Sequence, residues 1–242
     1  MGHRVTTLNV NTIEPAGNTL TIGASGDSVV LADDVKANTY KDAGGNTLFT
    51  SNGSGVLSSV NSGFGDALVL IQTQTASSSA SISFTSGIDS TYKEYIFRYI
   101  NIHPGTSAPE FSFQVSSNGG SSYGLTTTST YFRAYHTQNG STSSLSYTSG
   151  RDVNGTGFIP MGFDLGMGNN DESASGELHL FNPSSSFAKN YYGRISMQQD
   201  SNAAFDGYVG GYINTTAAIN AVQFKMSSGN IDAGKIKMYG VI

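Results

Sequence analysis

Residues 110–116 read Glu-Phe-Ser-Phe-Gln-Val-Ser, so Phe111, Phe113 and Val115 fall on one side and Ser112 and Gln114 on the other. A period of two belongs to a strand, whose successive side chains point to opposite faces. Strand-like segments of the same kind recur at 67–75, 80–85, 92–102, 131–137, 158–165, 177–181, 191–198, 207–213, 221–226 and 235–241. No segment sustains a 3.6-residue period, so helical crossovers between parallel strands are not expected. Many strands without helices predict an all-β domain, an antiparallel β-sandwich that is jelly-roll-like.

Particular positions refine this reading. Within 92–102, Tyr95, Phe97 and Tyr99 share one face while Ile96 and Ile100 share the other, which predicts a strand covered on both sides. Ile159, Met161, Phe163 and Leu165 share a face, as do Val222, Phe224 and Met226. Asn118-Gly119-Gly120, Asn139-Gly140 and Asn154-Gly155 read as hairpin turns, because Asn and Gly tolerate positive φ.

The N-terminal quarter is different. Residues 1–65 hold three aromatics, Tyr40, Phe49 and Phe64, of the 26 Phe and Tyr in the chain. Gly17-Asn18-Thr19-Leu20 returns there as Gly45-Asn46-Thr47-Leu48. Short strand-like pieces at 5–10, 20–22, 29–31 and 56–60 are separated by Gly, Asn, Ser or Asp. Such a segment buries too little apolar area to offset its ordering entropy. Repeats of this kind are stabilised by stacking on further copies, and two copies are too few within one chain. The expectation is an extended fibre-like or anchoring arm over 1–65, a β-sandwich over 66–242, and a homo-oligomer, a trimer, formed through the arm. The last strand runs almost to residue 242, which leaves the arm as the anchor.

Composition narrows the function. Net charge is −5 and no Lys/Arg cluster is present, so nucleic acid is not an expected partner. Without cysteine there is no disulfide framework, thiolate chemistry or Cys-based zinc site. The longest purely apolar run, 67–71, is too short to span a membrane. The first residues lack the apolar core of a signal peptide, which predicts synthesis in a cytoplasm.

Motifs for chemistry are sparse. Gly26-Asp27-Ser28-Val29 is like an esterase nucleophile block, but the required His with Asp three residues earlier is missing: Gly176 stands there before His179. His3, His103, His136 and His179 show no metal-ligand spacing. Asp164, Asn169, Asn170, Asp171 and Glu172 could supply oxygens to Ca²⁺ but match no known loop spacing, and Gly166-Met167-Gly168 lacks the third glycine of a dinucleotide site. The Asn-x-Ser/Thr triplets at Asn52, Asn139, Asn154 and Asn214 are expected by chance in such a composition. No enzyme, cofactor or metal is therefore expected. Tyrosines are abundant, and Tyr123, Tyr135, Tyr147 and Tyr208 are the candidate outward binding residues. A Tyr ring packs against a sugar or a neighbouring subunit while its hydroxyl bonds.

Asp42-Ala43-Gly44-Gly45-Asn46-Thr47-Leu48-Phe49-Thr50-Ser51-Asn52-Gly53-Ser54-Gly55-Val56-Leu57 resembles repeat units of tailed-bacteriophage fibre proteins. The segment 92–104, followed by 111–123 with its Ser-Asn-Gly-Gly-Ser-Ser-Tyr turn, is similar to β-domains of marine phage virion proteins, and Gly234-Lys235-Ile236-Lys237-Met238-Tyr239-Gly240-Val241 is like their final strand. The resemblance implies a virion structural protein, commonly trimeric: a tail fibre, head fibre or capsid decoration. Its implied partners are its own copies, other capsid or tail proteins, and a host surface glycan if it serves attachment. A lectin-like glycan-binding module and a polysaccharide depolymerase or esterase are the competing readings.

Overall fold

The computed structural model describes residues 39–51, 57, 58, 60, 67–166, 172–199 and 202–242. The chain divides into two units, Met1–Asn61 and Ser62–Ile242.

In the first unit, β1 (Thr39–Lys41), β2 (Thr47–Ser51) and β3 (Leu57–Ser58) form an antiparallel sheet in that order. The β1–β2 turn is closed by Asp42, whose carboxylate accepts from the backbone and side-chain N–H of Asn46 at 2.8 and 3.0 Å. Those hydrogen bonds hold the Asp42 carboxyl below its ordinary pKa. Gly45 takes the left-handed conformation (φ +84°) that the reversal needs. Tyr40 and Phe49 face each other across the strands and stack at 4.5 Å. The second copy of the Gly-Asn-Thr-Leu repeat is thus a turn leading into a strand. The first copy and the pieces expected at 5–10, 20–22 and 29–31 lie outside the described residues.

The second unit holds β4 (Leu68–Thr75), β5 (Ile82–Phe84), β6 (Glu94–Pro104), β7 (Phe111–Ser116), β8 (Thr127–Thr137), β9 (Ser143–Tyr147), β10 (Asn154–Gly155), β11 (Ile159–Gly162), β12 (Ala174–Phe181), β13 (Lys189–Gln199), β14 (Ala203–Ile213), β15 (Ala221–Met226) and β16 (Ile231–Val241). Helical structure among the described residues is one 3₁₀ turn, Ser149–Arg151. Nine strands form one sheet in the order β10-β8-β14-β13-β12-β6-β16-β4, with β9 also paired to β8; four form a second, β11-β7-β15-β5. Every pairing is antiparallel.

The two sheets close on one aromatic core. Phe224 of β15 lies 5.6 to 6.4 Å, centroid to centroid, from Phe84, Phe97, Tyr99, Phe111 and Phe113, which come from both sheets. Three tyrosines complete the core with their phenols bonded or buried inside it. Tyr99 OH donates to the Arg194 carbonyl at 2.6 Å, Tyr131 OH to the Met161 carbonyl at 2.9 Å, and Tyr191 is 3% exposed. Burial raises all three phenols above their ordinary pKa.

Several expectations need correction. The Ile96 and Ile100 face of β6 is not covered by a second layer: Ile100 is 41% exposed, and Ile96 is sheltered outside the core cluster. Asn154-Gly155 is not a turn but β10 itself, paired with Thr127 and Thr128. Asn118-Gly119-Gly120 does turn, with both glycines at positive φ, yet it leads from one sheet to the other rather than into a hairpin. Asn139-Gly140 closes the β8–β9 hairpin as expected. The strand expected at 158–165 is shorter: its pairing with β7 runs from Ile159 to Gly162, with a register shift between Pro160 and Gly162. β9 had no sequence signal, because Ser-Ser-Leu-Ser-Tyr offers only two apolar side chains.

Candidate functional site

The nine-stranded sheet turns one face to the core and the other outward. Register fixes what the outer face displays. Tyr147 of β9 is opposite Phe132 of β8, which is opposite Tyr208 of β14, and Tyr208 is opposite Arg194 of β13. Arg194 is opposite Glu177 of β12, Glu177 opposite Arg98 of β6, and Arg98 opposite Lys237 of β16. One row therefore crosses the sheet from rings to charges.

The row is tightly organised at Arg194. Phe132 and Tyr208 stack face to face at 4.7 Å with 4° between their planes. The Arg194 guanidinium covers the Tyr208 ring at 5.2 Å. Arg194 Nε and Nη2 donate to the two Asp206 carboxylate oxygens at 2.9 and 2.7 Å, and Tyr208 OH donates to Asp206 Oδ2 at 2.9 Å. The Arg194 hydrogen bonds hold the Asp206 carboxyl below its ordinary pKa, and the bond to Asp206 raises the Tyr208 phenol. A planar fork on a carboxylate and a ring is a preorganised guanidinium. Its Nη1 keeps no acceptor among the described residues.

Beside it lies a shallow depression of about 410 Å³ over β6, β12 and β13, lined by Arg98, Ile100, Ser175, Gly176, Glu177, Arg194 and Ser196, with Tyr99 beneath. Gly176 shapes it from within. A Cβ there would sit 2.1 Å from the Arg194 carbonyl oxygen and 2.7 Å from the Tyr99 ring. Arg98 Nε stands 3.5 Å from Glu177 Oε2, a loose pair with both side chains at least 40% exposed. Ser175 Oγ accepts from Asn101 N at 3.0 Å, where Asn101 bulges at φ +50°.

The adjacent row carries His179, stacked on Tyr192 at 4.4 Å. His179 Nδ1 is 2.5 Å from Glu94 Oε1, and Nε2 is 3.2 Å from Glu177 Oε1 without hydrogen-bond alignment. At 7% exposure this histidine is buried.

The four tyrosines singled out from sequence do not converge. Tyr147 and Tyr208 share the outer row. Tyr147 is 60% exposed, and its hydroxyl donates to Asp152, which raises the phenol's pKa. Both faces of the Tyr208 ring are covered, by Phe132 and Arg194, so it orients Arg194 rather than offering a stacking platform. Tyr135 points inward from β8, packs on the core and lies under Arg133 at 5.1 Å. Tyr123 sits after β7 with its phenol oxygen buried and without a partner among the described residues. Sequence reasoning missed Arg98, Arg194, Ser175 and Ser196. Parity was the available signal: Arg98 lies between the inward Phe97 and Tyr99, and Arg194 precedes the inward Ile195.

Other sequence motifs add nothing at this face. Asp27 and Ser28 lie outside the described residues, as do residues 167–171 of the acidic loop. Among the described residues no three acidic or histidine side chains gather as a metal site, and no helix is long and apolar enough to cross a membrane.

Compared with known proteins, the chain matches no family model, no curated protein and no solved structure. The fold and its outer face define the second unit as an antiparallel β-sandwich with a ring-and-charge row on its larger sheet.

Proposed function

We propose that this protein is a non-enzymatic virion structural subunit of a tailed phage, a fibre or capsid decoration that anchors and trimerises through residues 1–65 and displays the β-sandwich outward. It is made in the host cytoplasm and resides in the virion, with other capsid or tail proteins and its own copies as partners. The single observation carrying display and host-surface attachment is the continuous row from Tyr147 to Lys237 on an open sheet face. A polar row with rings at one end and charges at the other suits reversible surface recognition. The resemblance of the turn-and-strand repeat around β1–β2 to fibre repeats supports the anchoring part. Successive strands alternate between the sheets from β4 to β8, which supports a jelly-roll-like description.

Antibody against the chain, applied to intact particles and viewed by electron microscopy, tests the reading; labelled heads or tails are expected, and unlabelled particles refute it. Deleting residues 1–60 is expected to abolish incorporation. A lectin-like module is the second reading, favoured by the depression beside Arg98 and Arg194. A depolymerase would release sugar from host polysaccharide, and no release is expected.

A further inference from the structure

We propose that the depression over β6, β12 and β13 binds an acidic saccharide, with Arg98 and Arg194 taking its carboxylate or sulfate and Ser175, Ser196 and Glu177 its hydroxyls. The inference rests on the attachment reading above and names the ligand class of that face.

Charge is the first argument. The chain carries −5 overall, yet Arg98, Arg194, Lys235 and Lys237 meet on neighbouring strands at this face against Glu177 and Asp206. Four of twelve basic residues on one patch make it locally positive on an acidic protein. That field favours an anion.

Preorganisation is the second. Arg194 is held by Asp206 on one edge and by the Tyr208 ring on its face, and the Tyr208 ring is backed by Phe132. The Asp206 fork uses Nε and Nη2, which leaves Nη1 for a ligand. Arg98 is only loosely paired, so its terminal nitrogens have no acceptor among the described residues. Little side-chain entropy is lost when an anion joins Arg194, which is already held.

Size and position are the third. At about 410 Å³ the depression falls in the range of small-molecule sites, a sugar or two rather than a protein. β6, β12 and β13 are each paired on both sides, so an extended peptide cannot add as a strand there. Recognition must come from side chains. The Ser196 hydroxyl makes no hydrogen bond among the described residues, and Ser175 Oγ accepts one and retains its own proton to donate. With the Glu177 carboxylate as acceptor, donors and acceptors match the hydroxyl pattern of a sugar around one anionic group.

The test is calorimetric titration of the full chain with hexagalacturonate, a sulfated galactan hexamer, maltohexaose and a single-stranded oligodeoxynucleotide. Binding of either acidic hexamer is expected, at least tenfold tighter than maltohexaose and weaker at high salt. Arg98→Gln and Arg194→Gln are each expected to weaken it about tenfold, the cost of one charge-assisted hydrogen bond. Both variants are expected to melt cooperatively, Arg194→Gln slightly below the wild type because the Asp206 pair is lost, and to scatter light as the wild type does. Equal affinity for maltohexaose or for the oligonucleotide, no binding of either acidic hexamer, or unchanged affinity in both variants overturns the proposal. So does an altered oligomer mass in the variants, which makes this face an interface between copies. If acidic hexamers do not bind but Arg98→Gln particles still lose host adsorption, the ligand class falls and the attachment reading stands.

Discussion

Glycine and tyrosine are coupled at the residue scale. The inner face of the large sheet lacks side chains at Gly176 and Gly207, and the space is taken by Tyr99 and Tyr131; a Cβ on Gly207 would lie 2.1 Å from Tyr131 OH. Gly176→Ala would push on the Arg194 carbonyl at the floor of the outer depression. It is expected to destabilise by about 1–3 kcal/mol, as overpacking does, read from the urea midpoint. The phenols give a pH prediction. Tyr99, Tyr131 and Tyr191 have raised folded pKa values, so the folded state holds protons that the unfolded chain releases near the usual value of about 10. Their contribution is complete below that pH and lost as pH rises through the folded values. Cooperative unfolding above pH ~10, with phenolate absorbance appearing at the same midpoint as loss of β-sheet circular dichroism, is the expected result. Gradual phenolate formation before unfolding contradicts it.

Among the elements, β15 places one ring at the centre of the core. Its Phe224 touches rings from β5, β6 and β7, so it fastens the four-stranded sheet to the nine-stranded one. Phe224→Ala is expected to cost about 3–5 kcal/mol, seen as a large fall in the thermal midpoint. Lys189, at the start of β13, is fully buried and donates one hydrogen bond to the Thr215 carbonyl at 3.1 Å. Desolvation lowers its pKa, so the unfolded chain binds the proton more strongly and stability rises toward pH ~10. Lys189→Met removes that cost, and an unchanged or raised thermal midpoint is expected.

For the whole molecule, the prediction is separable units. Every ring of the core cluster belongs to residues after 62, so a chain starting at residue 61 is expected to stay soluble with β-sheet circular dichroism and a sharp thermal transition. The intact chain is expected to scatter light as a trimer and the truncated chain as a smaller species. A monomeric intact chain overturns the oligomerising role of the arm. An unfolded truncation overturns the independence of the sandwich.

The period-two pattern by itself determined that the described residues are all-β, and it located most of the long strands and the aromatic core. That information is local, because alternation between faces follows from strand geometry alone. The pattern failed where apolar content was low, at β9, and where a glycine sat in a strand rather than a turn, at β10. Tertiary structure alone decided which strands are neighbours. Arg98, Glu177, Arg194, Tyr208 and Phe132 are spread over more than a hundred residues and become one row only through register. Cross-strand partners are set by how two sheets close over a shared core, a many-body packing outcome that no local window contains. For the same reason sequence could name Tyr135 and Tyr208 together, while the fold turns one inward and uses the other to hold an arginine.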